Sequence, residues 1–115
     1  MWTVIFRPVF EKWFYEQSED LQEKLLETIG LLRLNGPTLG RPYVDTIKGS
    51  SLPNLKELRT QFRGRPIRTF YAFDPERQAV LLCGGDKTGD GRFYSTMIRL
   101  SEEEFARYMA EVKEK

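Results

Sequence analysis

Apolar residues recur along this chain at helical spacing in some stretches and at strand spacing in others. Phe10, Trp13 and Phe14 fall at i, i+3 and i+4, and Leu21, Leu25, Thr28, Ile29 and Leu32 hold a longer stripe of the same period. Pro8 suits the first turn of a helix, so the first stripe predicts a helix over about 8–16. Ser18 followed by Glu19 and Asp20 reads as an N-cap with acids in the first turn, where the helix dipole favours them. Asn35-Gly36-Pro37 stops that second helix. Ahead of both, 2–7 is rich in β-branched and aromatic residues and predicts a strand ended by Pro8.

Residues 37–54 contain three prolines and two glycines and read as a long connection with little regular structure. Three strands are then expected at 55–62, 67–73 and 79–83, joined by turns at 63–66 and 74–78. The run Ala79-Val80-Leu81-Leu82-Cys83 is apolar on both pleat faces, which places that strand inside the sheet. Residues 84–91 hold four glycines and are expected to form a loop. Ser101 with Glu104 three residues on resembles a capping box, and Phe105, Tyr108, Met109 and Val112 follow at helical spacing. The order β-α-α-β-β-β-α describes a single α+β domain over 1–115, a helical hairpin packed on a small antiparallel sheet.

With 115 residues the chain suffices for one ordinary domain. No apolar run reaches the roughly 18 residues of a membrane helix, and the first residues lack the pattern of a signal peptide, so no membrane partner and a cytoplasmic location are expected. One cysteine and no histidine exclude an internal disulfide, a His-based triad and a His proton shuttle. No metal or other cofactor is expected. The formal charge is only +1, but it is unevenly spread. Residues 41–68 carry seven basic groups against Asp45 and Glu57, while 1–40 and 100–115 are each net −2. A basic middle inside an acidic chain is the footprint of a polyanion site.

Two glycine-loop motifs fail on inspection. Residues 86–91 begin like a calcium loop, but the twelfth position is Met97 instead of a bidentate Glu. Lys87-Thr88 follows Asp86 instead of Gly, so no phosphate loop forms either. Cys83 lies within the apolar run and reads as a small core residue.

What survives is the hairpin of the first two predicted strands after the long connection. A four-residue turn at 63–66 would set Phe62 opposite Ile67 and Gln61 opposite Arg68, with Arg59, Gln61 and Arg68 on one face and Glu57 next along it. A one-residue slip would separate Arg59 from Arg68. Two arginines on one sheet face make a fork for phosphate oxygens, and the loop after the last strand brings Lys87, Arg92 and Tyr94 towards it. Such a cluster suits RNA cleavage by a 2′-hydroxyl. Arginines stabilise the phosphorane, and a Lys or Tyr whose pKa is lowered by cationic neighbours relays protons. The plainer alternative pairs Arg59 with Glu57 and Lys87 with Asp86 or Asp90, and leaves Tyr94 a packed aromatic.

The stretches 39–50 (LGRPYVDTIKGS), 54–59 (NLKELR), 68–75 (RTFYAFDP) and 84–87 (GGDK), in that order, resemble the phage-derived Gp49-like, HigB-type toxins of the RelE/ParE superfamily. The likeness runs from about residue 3 to residue 110. It implies a RelE-like fold and a toxin that cleaves mRNA, typically on the translating ribosome, and that a helix-turn-helix, HigA-like antitoxin neutralises. By position, Arg68 matches the strand arginine that binds the scissile phosphate, Lys87 the basic residue after the last strand and Tyr94 the tyrosine near the end. Lys56 and Arg59 match basic positions of the preceding strand. The expected catalytic set is therefore Arg68, Lys87, Tyr94 and Arg59, and the expected RNA-binding set is Lys48, Lys56, Arg63, Arg65 and Arg92. Some HigB toxins use site histidines, which this chain lacks. A ParE-like gyrase inhibitor and a non-enzymatic RNA-binding module are the alternatives to an mRNA interferase.

Overall fold

A computed structural model describes residues 1–114. The elements are β1 (Val4–Phe6), α1 (Pro8–Tyr15), α2 (Glu19–Asn35), a 3-10 turn (Gly36–Thr38), β2 (Val44–Thr46), β3 (Lys56–Phe62), β4 (Arg65–Phe73), β5 (Ala79–Asp86) and α3 (Phe93–Lys113). One five-stranded sheet runs in the order β1-β5-β4-β3-β2. The four strands after α2 pair antiparallel, and β1 adds to the edge of β5 in parallel. No helix among the described residues is long and apolar enough to cross a membrane.

The second helical stripe forms as the pattern dictates. Ser18 Oγ accepts the Leu21 N–H at 3.2 Å, and Leu21, Leu25, Thr28, Ile29 and Leu32 are its buried residues. With Phe10 and Phe14 of α1 they cover one face of the sheet, against Leu58, Phe62, Ile67 and Tyr71. The other face is covered by α3, where Phe93 and Tyr108 meet Phe70, Ala72, Val80 and Leu82. Both faces of β5 are thus buried, as its apolar run requires.

Two glycines expected in a loop lie inside β5, and their lack of a side chain explains why. A Cβ on Gly84 would come within 2.6 Å of the Trp13 ring of α1, and one on Gly85 within 2.9 Å of the Phe93 ring of α3. They mark where a helix from each side approaches the strand closely. Between them and the start of β5 the strand also bulges: Phe70 pairs with Cys83 and Tyr71 with Leu81, leaving Leu82 without a partner. The extra residue reverses the pleat phase beyond it. Gly85 and, past the strand end, Lys87 therefore face α3 instead of α1.

Three further expectations change. The β3–β4 turn is Arg63-Gly64 alone, both at positive φ, because Phe62 pairs with Arg65. Two residues at positive φ suit the tight turn that matches sheet twist. The long connection contains β2, a three-residue strand that the surrounding prolines and glycines hide. And α3 begins eight residues before Ser101. Ser101 is buried in mid-helix beside Cys83 Sγ at 3.4 Å, and Glu104 accepts from Arg7 and from the Val9 N–H, both at 3.3 Å. Glu104 ties α3 to the β1–α1 corner instead of capping its start.

Gly84→Ala should cost about 1–3 kcal/mol of stability by forcing the indole off the sheet. Gly30→Ala, in mid-α2 with open space around its Cβ, should gain about 0.5–1 kcal/mol. Urea denaturation of both variants checks the contrast.

Candidate functional site

The hairpin register places Arg59 directly opposite Arg68. The expected register was off by two residues, and a shift of two keeps every side chain on its face. Arg59, Arg68, Glu57 and Phe70 therefore share the α3 side of the sheet. Arg68 is only 3% exposed and Glu57 5%. Arg68 Nε lies 3.4 Å from Glu57 Oε1, an ion-pair distance without the alignment of a hydrogen bond, and Nη1 donates to the Ile67 carbonyl at 3.1 Å. Tyr94, in the first turn of α3, donates its hydroxyl to the same Glu57 oxygen at 2.7 Å. Lys87 Nζ stands 5.4 Å from the centroid of the Tyr94 ring.

Arg68 and Tyr94 thus meet at one carboxylate, with Lys87 against the Tyr94 ring and Arg59 across the rung from Arg68. Glu57 holds the inner arginine and the tyrosine together, while Arg59 remains half-exposed beside them. Its role was missed because the sequence reading placed it on the shared face but offered it to Arg59. Asp86, the other expected partner, accepts instead from Thr88 and from Arg65 Nη1 at 3.3 Å. The loop after β5 thereby leaves Lys87 to the aromatic ring.

Burial raises the Tyr94 pKa, and the Glu57 hydrogen bond and charge raise it further, outweighing Arg68. The expected lowering by cationic neighbours does not occur. Tyr94 is a neutral hydroxyl donor at physiological pH, not a phenolate. Cys83 is pushed up to about 11 by burial, as befits a core thiol.

The wider basic set divides. Arg92 is exposed at the N-cap of α3, two residues from Tyr94, and Arg65 sits at the β4 start beside Asp86. Arg63 turns the other way and binds Asp20 of α2 at 2.6 Å. Lys56 has the opposite pleat parity from Arg59 and reaches Thr46 Oγ1 at 3.4 Å. Lys48 is exposed in the connection whose Ser50 and Ser51 are held by Glu102 of α3. Arg59 and Arg68 also line a cleft of about 490 Å³ that wraps the edge of β3 beyond β2.

Comparison with known proteins matches residues 12–106 to the family of phage derived proteins like Gp49. The chain is 43% identical over 109 residues to HigB3 of Mycobacterium tuberculosis, whose name gives it as a candidate toxin, covering 94% of each chain. It is 38% identical over 104 residues to HigB2 of the same organism, named likewise, covering 89% of this chain and 52% of that protein. Among solved structures, the isolated RelE toxin of E. coli superposes with a TM-score of 0.61 at 14% identity, over 87% of this chain and 99% of that one, a likeness of fold.

Arg68→Ala would leave the Glu57 carboxylate buried without its counter-ion and should destabilise the fold by about 3–5 kcal/mol. Adding Glu57→Gln should recover part of that loss, measured by chemical denaturation of the single and double variants. The Tyr94 phenol should ionise above the ordinary pH of about 10, so its share of stability is intact below that pH and is lost as pH rises towards the raised value. Ultraviolet titration of the wild type against Tyr94→Phe isolates this phenol, and Glu57→Gln should lower its midpoint.

Proposed function

The chain belongs to the phage derived Gp49-like family, among the HigB-type toxins of the RelE superfamily, and from that premise we propose that it is an endoribonuclease that cleaves mRNA. The observation that carries the reading is the paired Arg59–Arg68 rung, closed by Glu57, Tyr94 and Lys87. Two arginines on one rung, with Lys87 against the Tyr94 ring, favour a phosphodiester and, still more, the extra charge of its phosphorane.

In this mechanism the ribose 2′-oxygen attacks the adjacent phosphorus, giving up its proton to water, and the 5′-oxygen takes up a proton as it leaves. The bond from phosphorus to the 5′-oxygen breaks, giving a 2′,3′-cyclic phosphate and a 5′-hydroxyl end. Arg59 is the accessible guanidinium and grips a non-bridging oxygen. Arg68 is the inner one, its Nε held at ion-pair distance from Glu57. Lys87 adds charge at the mouth. Tyr94, neutral and hydroxyl-bearing, donates towards the leaving oxygen. With these groups most of the rate comes from positioning and fixed charge.

A toxin of this family implies a neutralising antitoxin. A helix-turn-helix, HigA-like protein as that antitoxin, and messenger RNA on the ribosome as the target, belong to the same proposal.

Expression of the wild type in a bacterium should arrest growth and create new 5′ ends inside reading frames. Arg59→Ala and Lys87→Ala, both at accessible positions, should each reduce those ends by about 10²-fold or more while circular dichroism stays unchanged. Growth arrest with intact transcripts would overturn the nuclease reading and direct the search to gyrase.

A further inference from the structure

The cleft along β3 holds more than a phosphate site needs. Its volume of about 490 Å³ lies in the range of small-ligand pockets. Arg59 and Arg68 form one side. The remainder includes Lys24, Gln61, Tyr43, Glu27 and Leu31, and of these Leu31, Glu27 and the Tyr43 ring do nothing for a bare anion.

Tyr43 is 43% exposed, although a tyrosine of the core would be covered. Its backbone is fixed on both sides. The Tyr43 N–H donates to the Gly40 carbonyl at 3.0 Å, and the Tyr43 carbonyl accepts the Arg59 N–H at 2.7 Å. The ring is thus carried at the level of the arginine rung by rigid backbone. β2 pairs with β3 only from Lys56 to Leu58, so Thr60–Phe62 has no strand on its outer side. There Gln61 exposes a side-chain amide, at once a donor and an acceptor. Glu27 on α2, 3.3 Å from Lys24, adds an acceptor at the rim. An aromatic face, an amide, an acceptor and two phosphate-binding arginines in one cleft are the requirements of a nucleotide.

The geometry points to this cleft as the seat of the nucleobase adjoining the scissile phosphate, with Tyr43 as its stacking platform and Gln61 as the group that reads its edge. The assignment rests on the nuclease reading. It makes Tyr43 and Gln61 specificity-determining residues, separate from the cluster around Glu57.

The experiment maps 5′ ends after expression of the wild type, Tyr43→Ala, Tyr43→Phe and Gln61→Ala, with Arg59→Ala as the chemical control. Loss of one base stack should reduce cutting by Tyr43→Ala roughly tenfold and flatten the base preference at one position beside the cut. Tyr43→Phe keeps the stack and should restore both. Gln61→Ala should change the preferred base at that same position. If the wild type cuts and Tyr43→Ala keeps its rate and preference, the subsite is wrong while the nuclease reading stands. A slower Tyr43→Ala with unchanged preference overturns it equally, since the ring would then act without reading a base. If the wild type makes no cuts, the nuclease reading falls and the subsite with it.

Discussion

A sheet whose inner strands are apolar on both sides must be covered on both sides, and in this chain β5 imposes that constraint. Ala79 and Leu81 face the α1–α2 layer, and Val80 and Leu82 face α3. Beyond Cys83 the helices come too close for side chains, and Gly84 and Gly85 yield to Trp13 and Phe93. Burying β5 twice therefore brings the N-terminus of α3 down onto the sheet. Tyr94 is set against Glu57 by that approach, and the site depends on it. The bulge at Leu82 completes the arrangement by turning Lys87 to the α3 side.

Placing Arg68 and Glu57 in this seam has an energetic cost. Two charges taken out of water recover their desolvation only when well paired, and the 3.4 Å contact without hydrogen-bond alignment is an incomplete pairing. The Tyr94 hydroxyl supplies Glu57 with one strong hydrogen bond, and the Ile67 carbonyl supplies Arg68 with another. Arg59 stands opposite Arg68 with the same charge. The folded protein thus holds two like charges side by side. A phosphate oxygen between them would ease that repulsion, so the rung favours an anion.

Much of this was legible in the sequence because local rules agree with the global fold. Ser18 and the stripe from Leu21 to Leu32 specify α2 by themselves. The shared face of Arg59 and Arg68 followed from strand parity, and it survived a misjudged turn because the error was an even number of residues. What could not be read depends on distant partners. Ser101 and Glu104 carry the local signal of a capping box, yet one is buried against Cys83 and the other binds Arg7, nearly a hundred residues away. The first two turns of α3 were concealed by the glycines just before them. The parallel pairing of β1 and the bulge at Leu82 leave no trace in any short window. Lys87 came to the site through that bulge, and periodicity alone would have set it on the wrong side.

The state of Tyr94 decides how such a site can work without histidine. Cationic neighbours alone would lower a phenol and offer it as a base. Here burial and the Glu57 carboxylate prevail over Arg68, and the proton stays on oxygen. A hydroxyl that donates to a carboxylate is poised to give a proton or a hydrogen bond, not to take one. Glu57 then has two functions that oppose each other electrostatically. It offsets the charge of Arg68 enough for that side chain to be buried, and it keeps Tyr94 neutral beside Arg68 and Lys87. With its pKa raised, the Tyr94 phenol contributes no charge near neutral pH. In the proposed nuclease the site's contribution to phosphate chemistry would be one of preorganised charge and geometry, which a chain without histidine can still provide.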